Sequence, residues 1–268
     1  MMTCFRKIIS ALAVGLIFNF GNLWAEDIKT PSLEAPPLDA EHSMFNRLLG
    51  KIAMKNGVNY ALLEDELRPE LNLYLAQLAK APWPKEKNEK MAHLINAYNA
   101  FTLALVVDRL PADRSQWKTW SIQSLGTLFK NPWKRFRFEL SRQWFSLDQL
   151  EHEQLRPMGD PRIHFAINCA SRSCPSLRPY AYQPQQLDQQ LEDAAQEFAA
   201  SKEHLRLEKG VLWVNPILSW FAEDFGKEPG VKAFLQQRAS GDLRLAFEQG
   251  VGVHYFEYNW NLNLLSNQ

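Results

Sequence analysis

The chain has 268 residues, with 30 basic and 30 acidic side chains, nine tryptophans and sixteen phenylalanines. That balance excludes the basic face a nucleic-acid binder needs, and the length suffices for one large domain or two small ones with ample core. The aromatic content predicts a well-filled core and an aromatic-lined pocket, and the sequence holds neither a fixed-period repeat nor a glycine-rich phosphate loop.

The N-terminus carries Arg6 and Lys7, an almost wholly apolar run from Ile8 to Phe20, then Gly21, Asn22 and the small Ala25. A charged start, a short apolar stretch and a small-residue exit predict a secretory signal peptide over residues 1–25. The bulky Leu23 leaves an uncleaved anchor as the alternative. The apolar run is short for a bilayer, and no later stretch approaches roughly 20 apolar residues. The expectation is a periplasmic or secreted protein with no stable membrane span after signal removal. Cys4 would leave with the signal, making Cys169 and Cys174 the only cysteines. What remains is 243 of 268 residues, with 28 basic against 30 acidic. Residues 26–40, holding Pro31, Pro36 and Pro37, predict an extended lead-in, and 41–268 a single domain.

Helical patterns follow at His42 to Met54, Leu62 to Leu78 and Glu86 to Leu110, and later at Gln185 to Ala200, Pro216 to Phe221 and Val231 to Glu248. Strand-like pieces lie at Phe136 to Leu140, Gln143 to Phe145, Arg162 to Cys169, Leu205 to Glu208, Val211 to Val214 and Val251 to Phe256. Without a regular strand–helix alternation the pattern predicts an α+β fold, a mostly helical single domain with a buried central helix packed on a small, mainly antiparallel sheet.

That central helix is apolar on nearly every side from Met91 to Val107. Asn96 and Asn99 fall about 60° apart on it and enter the interior together. Unpaired, each amide would cost on the order of 1–3 kcal/mol, so they either tie down crossing loops or support a catalytic group. Ser146 and Gln149 have the spacing of a capping box. On the helix they open, Leu147, Glu151 and Leu155 are spaced by four, so Glu151 points inward while Asp148 and His152 lie to one side. An inward carboxylate needs a cation or several donors; an internal ion pair, a general acid or base, and a metal ligand are all compatible with it.

His164, Cys169 and Cys174 fall within eleven residues. On a strand from Arg162 to Cys169, His164 and Cys169 would face opposite sides. Cys169 then reads as a packed residue. Cys174, following a polar turn and flanked by Arg172 and Arg178, is the better nucleophile, because cations lower a thiol pKa. Four readings stay open: a Cys169–Cys174 disulfide, favoured by export and the even cysteine count; a reactive Cys174 assisted by His152, His164 or His254; a metal site of His164, Cys174 and Glu151 or His152, whose spacing matches no common zinc pattern; and two inert thiols. No cofactor is indicated. His254 alternates with Phe256, Tyr258 and Trp260 on a C-terminal strand pattern, as a core histidine or a base.

Asn96-Ala-Tyr-Asn99, Ser146 to His152, Asp160 to Pro175, Leu218 to Phe225 and Tyr258 to Asn263 together resemble the domain of unknown function 547 family, over about Val58 to Asn263. The signature residues carried here are Asn96, Asn99, Glu151, His152, His164, Cys169 and Cys174. The family's usual closing Tyr-Asp-Trp is replaced by Tyr258-Asn-Trp260. The resemblance implies no assigned reaction; fusions of some relatives to glutaredoxin-type domains hint at thiol chemistry. The leading expectation is a thiol-dependent hydrolase, acyl transferase or thiol-exchange enzyme, with Cys174 as nucleophile, His164 or His152 as base, Glu151 as orienting acid and Asn96 or Asn99 as polar support. The alternative is a non-catalytic envelope protein that binds a small molecule or another protein and keeps a structural Cys169–Cys174 disulfide.

Overall fold

The computed structural model describes residues 25–29, 33–127 and 131–265. Apart from Ala25, the expected signal peptide, Cys4 included, lies outside the described residues. Next to it, Glu26–Asp27 forms the short strand β1. Helices α1 (Ser43–Ile52), α2 (Tyr60–Asp65), α3 (Arg68–Lys80) and α4 (Lys87–Arg109) follow, with the two-residue strands β2 (Ala53–Met54) and β3 (Gly57–Val58) between α1 and α2. Every residue of α4 from Met91 to Val107 is buried, so the all-round apolar pattern does mark the helix at the centre.

The predicted helix from Leu62 to Leu78 is broken. Asn59 caps α2 by accepting from the Leu62 N–H at 2.8 Å, α2 stops at Asp65, and α3 restarts with Pro69 in its first turn, where a missing N–H costs nothing. After the four-residue α5 (Pro132–Arg135), the hairpin β4 (Phe136–Leu140) and β5 (Gln143–Ser146) pairs Phe138 with Phe145. Its turn residues Ser141 and Arg142 have φ of 50° and 63°, the left-handed twist a two-residue hairpin loop requires. The Phe138 ring stacks on Phe101 of α4 at 4.6 Å and 7°, seating the hairpin on the central helix. β1 joins the same sheet alongside β4, in parallel.

The chain continues through α6 (Leu147–Gln149), α7 (Leu187–Ala200), strands β6 (Leu205–Glu208) and β7 (Val211–Val214), α8 (Ile217–Trp220), α9 (Lys227–Arg238), α10 (Gly241–Glu248) and β8 (Val253–Tyr255). The order β6-β7-β8 combines an antiparallel and a parallel pair. The fold is α+β and mainly helical, as expected, but its strands form small mixed sheets instead of one mainly antiparallel sheet. The predicted helix over Val231 to Glu248 divides at Ala239 and Ser240 into α9 and α10.

The clearest departure is Arg162 to Cys169, which is no strand. Asp160 accepts from the Arg162 N–H at 3.0 Å and Pro161 opens a 3-10 turn over Pro161–Phe165. An Asx cap followed by proline commits the backbone to a helical turn, overriding the apolar alternation that suggested extension. The final segment closes the fold as a strap. Asn263 N–H donates to Ala170 O at 3.1 Å, the Arg172 and Ser173 N–H groups donate to Asn261 O and Asn259 O at 2.8 and 3.2 Å, and Val58 N–H donates to Asn263 O at 2.8 Å. A Cβ on Gly57 (φ +140°) would lie 2.7 Å from Asn263 O, so that crossing needs glycine.

Candidate active site

Ser146 and Gln149 do form the reciprocal capping box, with Gln149 N–H to Ser146 Oγ at 3.2 Å and Ser146 N–H to Gln149 Oε1 at 3.1 Å. The turns that follow, Leu150–Leu155, widen into a π-helix, a form found frequently at functional sites. Leu147, Leu150 and Leu155 anchor it in the core; Glu151 is buried beside them and His152 is exposed. The inward direction of Glu151 therefore follows the spacing of its leucines. Tyr98 of α4 donates a hydrogen bond to it at 3.4 Å. Burial, reinforced by negative charge at Cys169, lifts the Glu151 carboxyl to about 8, so it is a protonated acid at neutral pH.

The 3-10 turn aims His164 at two carboxyl groups. Nε2 is 2.7 Å from Asp224 Oδ2, and Nδ1 is 3.8 Å from Glu151 Oε1, with no hydrogen-bond partner of its own. Phe221 covers the imidazole in a stack at 3.9 Å. Burial lowers His164 to about 4 despite the Asp224 bond, so the ring is neutral. Asp224 in turn receives Arg156 as a fork, Nε and a terminal nitrogen each at 2.7 Å. Against the cost of burial, those bonds from Arg156 and His164 hold its carboxyl below the ordinary range. Asp224 sits on the 3-10 turn Ala222–Phe225, against which α9 packs through Gly230; a Cβ there would lie 1.7 Å from Phe225 O. Glycine thus permits the approach that seats Asp224.

The thiols lie on the loop between these turns and the strap. Asn99 clamps its start, accepting from Asn168 N–H at 2.8 Å and donating to Ala166 O at 3.0 Å. Asn168 donates to Pro175 O at 2.7 Å and accepts from Ala170 N–H at 2.9 Å, closing the loop on itself while Ala170 takes a left-handed φ of 60°. Cys169 and Cys174 are both free thiols, so the expected disulfide is not formed. Cys169 N–H points at Cys174 Sγ, 3.0 Å away. Around Cys169 Sγ stand Ser171 Oγ at 3.0 Å and the Tyr258 hydroxyl at 3.3 Å, themselves 2.9 Å apart.

The electrostatics differ from those expected at Cys174. Hydrogen bonding with the Cys174 thiol, against the cost of burial and with help from Ser171 and Tyr258, lowers Cys169. Burial and the neighbouring Cys169 charge push Cys174 well up. Arg178 pairs with Glu197 and Tyr180, and Arg172 faces a groove that Cys174 also lines. Neutral groups inside the loop, rather than flanking cations, favour the charged form of Cys169 over that of Cys174.

Cys169, Cys174, Glu151, His164 and His152 line one cleft of about 200 Å³, walled by Trp133, Trp220, Phe221, Tyr258 and Trp260. A larger, polar groove of about 760 Å³, lined by Arg172, Asn259 and Asn263 among others, shares only Cys174 with it. Asn96 and Asn99 do not reach the cleft. Asn96 holds Tyr182 through its N–H and C=O at 2.9 and 2.8 Å, so both amides tie down loops, as the plainer reading expected, with Asn99 supporting the thiol loop. His254 is exposed on β8 beside Trp213 and takes no part. Among the described residues no group of three or more His, Cys, Asp or Glu is placed to hold a metal ion, and no helix is long and apolar enough to cross a membrane. Sequence reasoning did not single out Asp224, Arg156's hold on it, or Ser171. The signal for Asp224 was its place in the Leu218 to Phe225 motif.

Residues 84–199 match the family model described as "Protein of unknown function, DUF547". The matched stretch carries Glu151, His152, His164 and both thiols; Asp224, Trp220, Tyr258 and Trp260 lie beyond it. Comparison with curated proteins and with solved structures gives no match in either.

Proposed function

Proceeding from residues 84–199 as a segment of the DUF547 family, we propose that the protein is an exported, thiol-dependent acyl hydrolase or transferase in which Cys169 is the nucleophile. The observation that carries this reading is the convergence of the Ser171 and Tyr258 hydroxyls on Cys169 Sγ, with Cys174 beside it, in a cleft that also holds a protonated Glu151. A thiolate stabilised by neutral donors keeps its charge without an imidazolium. Its sulfur attacks the carbonyl carbon of an ester and forms a C–S bond. The C–O bond to the leaving group breaks, and that oxygen takes the Glu151 proton. The resulting thioester is cleaved when water or an acceptor hydroxyl adds to the carbonyl and gives its proton to the Glu151 carboxylate, and Cys169 leaves as thiolate. Tyr258 and Ser171 stand where hydroxyl donors can meet the developing oxyanion. His164, neutral and held by Asp224, presents Nδ1 towards Glu151 and positions it.

Incubation of the purified protein with p-nitrophenyl acetate and butyrate, followed by intact-mass and peptide analysis, tests the reading. The expected result is an acyl adduct on Cys169, loss of turnover in Cys169→Ala, and a strongly slowed Glu151→Gln variant. Turnover undiminished in Cys169→Ala would overturn it. The adjacency of the two sulfurs favours thiol–disulfide exchange as a second reading; there a disulfide substrate such as oxidised glutathione takes the two electrons and leaves as two thiols while Cys169 and Cys174 become a disulfide, and Cys174→Ala stops at the mixed disulfide on Cys169, whereas acyl transfer persists in Cys174→Ala at a reduced rate.

A further inference from the structure

The mouth of the cleft carries an aromatic surface that the thiol chemistry does not use. Trp220 is 50 % exposed although it is a large apolar side chain. Its ring lies nearly parallel to Trp260, at 5.7 Å and 12°, and tilted against Tyr258 at 4.9 Å; Trp133 meets Trp260 edge-on at 5.7 Å. The result is a flat, supported shelf with an open face. Exposed apolar surface of this kind marks an interaction site more often than an ordinary surface. The rim beside it is polar: Asn131, Asp148 and His152 line the same cleft.

The rim also restricts what the shelf can hold. Asp148 Oδ1 has Lys134 Nζ and His152 Nε2 each at 3.7 Å, so no unbalanced carboxylate is left to draw a cation. Among the described residues that line the cleft there is no arginine, and the neighbouring Arg156 is committed to Asp224. A purely aliphatic ligand would cover the tryptophans and strip water from Asn131, Asp148 and His152 without replacing their hydrogen bonds, which is unfavourable. A ring with an apolar face and a hydroxylated edge meets both demands. The whole cleft is only about 200 Å³, the volume of about seven liquid waters, so an acyl group that enters it beside Cys169 is short.

We infer that the Trp220–Trp260 shelf binds a pyranose ring, and that the substrate is a short-chain ester on a hydroxyl of that ring, with the acyl group directed inward to Cys169. The inference rests on the acyl-transfer reading for its ester and on the shelf alone for its sugar. The leaving group is then the sugar hydroxyl oxygen, which takes the Glu151 proton as the C–O bond breaks, and the sugar departs along the open side past Trp220.

Tryptophan fluorescence of the full exported protein is titrated with chitotriose, cellotriose and maltotriose, with tetramethylammonium and hexanol as controls, in wild type, Cys169→Ser and Trp220→Ala. The expected result is a saturable change with at least one trisaccharide, retained in Cys169→Ser and weakened about tenfold in Trp220→Ala. Hydrolysis of glucose pentaacetate should show a KM raised about tenfold by Trp220→Ala, a larger rise than the same variant shows with p-nitrophenyl acetate. No saturable response to any of the three sugars, or an equal response to tetramethylammonium or hexanol, overturns the inference. Sugar binding with ester hydrolysis undiminished in Cys169→Ala would instead refute the thiol reading and leave the shelf standing, so the two failures are distinct.

Discussion

Replacing Cys174 by alanine removes the thiol whose hydrogen bond does most to lower Cys169. From the reference thiol value of 9.0 the loop lowers Cys169 and so favours its thiolate. Three side-chain donors share that effect against the cost of burial, and a hydrogen bond to a charged group contributes about 1.5–3 kcal/mol. Losing the largest should raise Cys169 by about one to two units. At pH 7 the thiolate fraction of Cys169 then falls, and its alkylation slows. Iodoacetamide alkylation of Cys169, followed by peptide mass spectrometry from pH 5 to 9, reads the midpoint directly. Cys174→Ser, which restores a donor, should recover part of the shift, and urea midpoints identify any loss from the cavity alone. An alkylation midpoint that does not move in Cys174→Ala, or one that starts near the ordinary thiol value in the wild type, would refute the hydrogen-bond account.

Three other outcomes follow from the same geometry. Asp224→Asn removes the carboxylate shared by Arg156 and His164 at 2.7 Å and should cost about 2 kcal/mol in urea unfolding. Because Asp224 is held below the ordinary carboxyl range, its contribution is present at neutral pH and fades as pH falls through that range. A cost that stays the same at pH 3 would contradict this. His42, His93, His164 and His204 are buried and lowered to about 3, 4, 4 and 4, in each case chiefly by burial. Below the unfolded value of 6.5 the unfolded chain takes protons the folded one refuses, so stability should fall between about pH 6.5 and 4 by up to about 1.4 kcal/mol per unit for each imidazole. Urea midpoints equal at pH 7 and 5 would rule that out. Gly230→Ala should displace the 222–225 turn, since its Cβ would lie 1.7 Å from Phe225 O, with a loss of about 1–3 kcal/mol; no loss would show that the two segments can part freely.

By itself the sequence determined whatever depends on local periodicity. The buried α4 follows from seventeen successive apolar or small positions broken only by His93, Asn96, Asn99 and Thr102, and the inward Glu151 from its spacing to Leu147 and Leu155. The capping box at Ser146 and the β4–β5 hairpin were legible for the same reason: partners lie within a few residues. The chemistry of the thiols was not. A thiol pKa depends on which donors reach the sulfur, and the Tyr258 hydroxyl arrives from 89 residues away while Asp224 reaches His164 across 60. Neighbouring arginines suggested Cys174 because nearness in sequence stood in for nearness in space; the fold turned Arg178 towards Glu197 and buried Cys174. The Pro161 turn likewise brought His164 and Cys169 into one cleft where a strand would have held them on opposite faces. Only the tertiary structure, through the strap over residues 259–265 and the turn that carries Asp224, decided which donors surround each sulfur, because electrostatics act over distances that the order of residues does not encode.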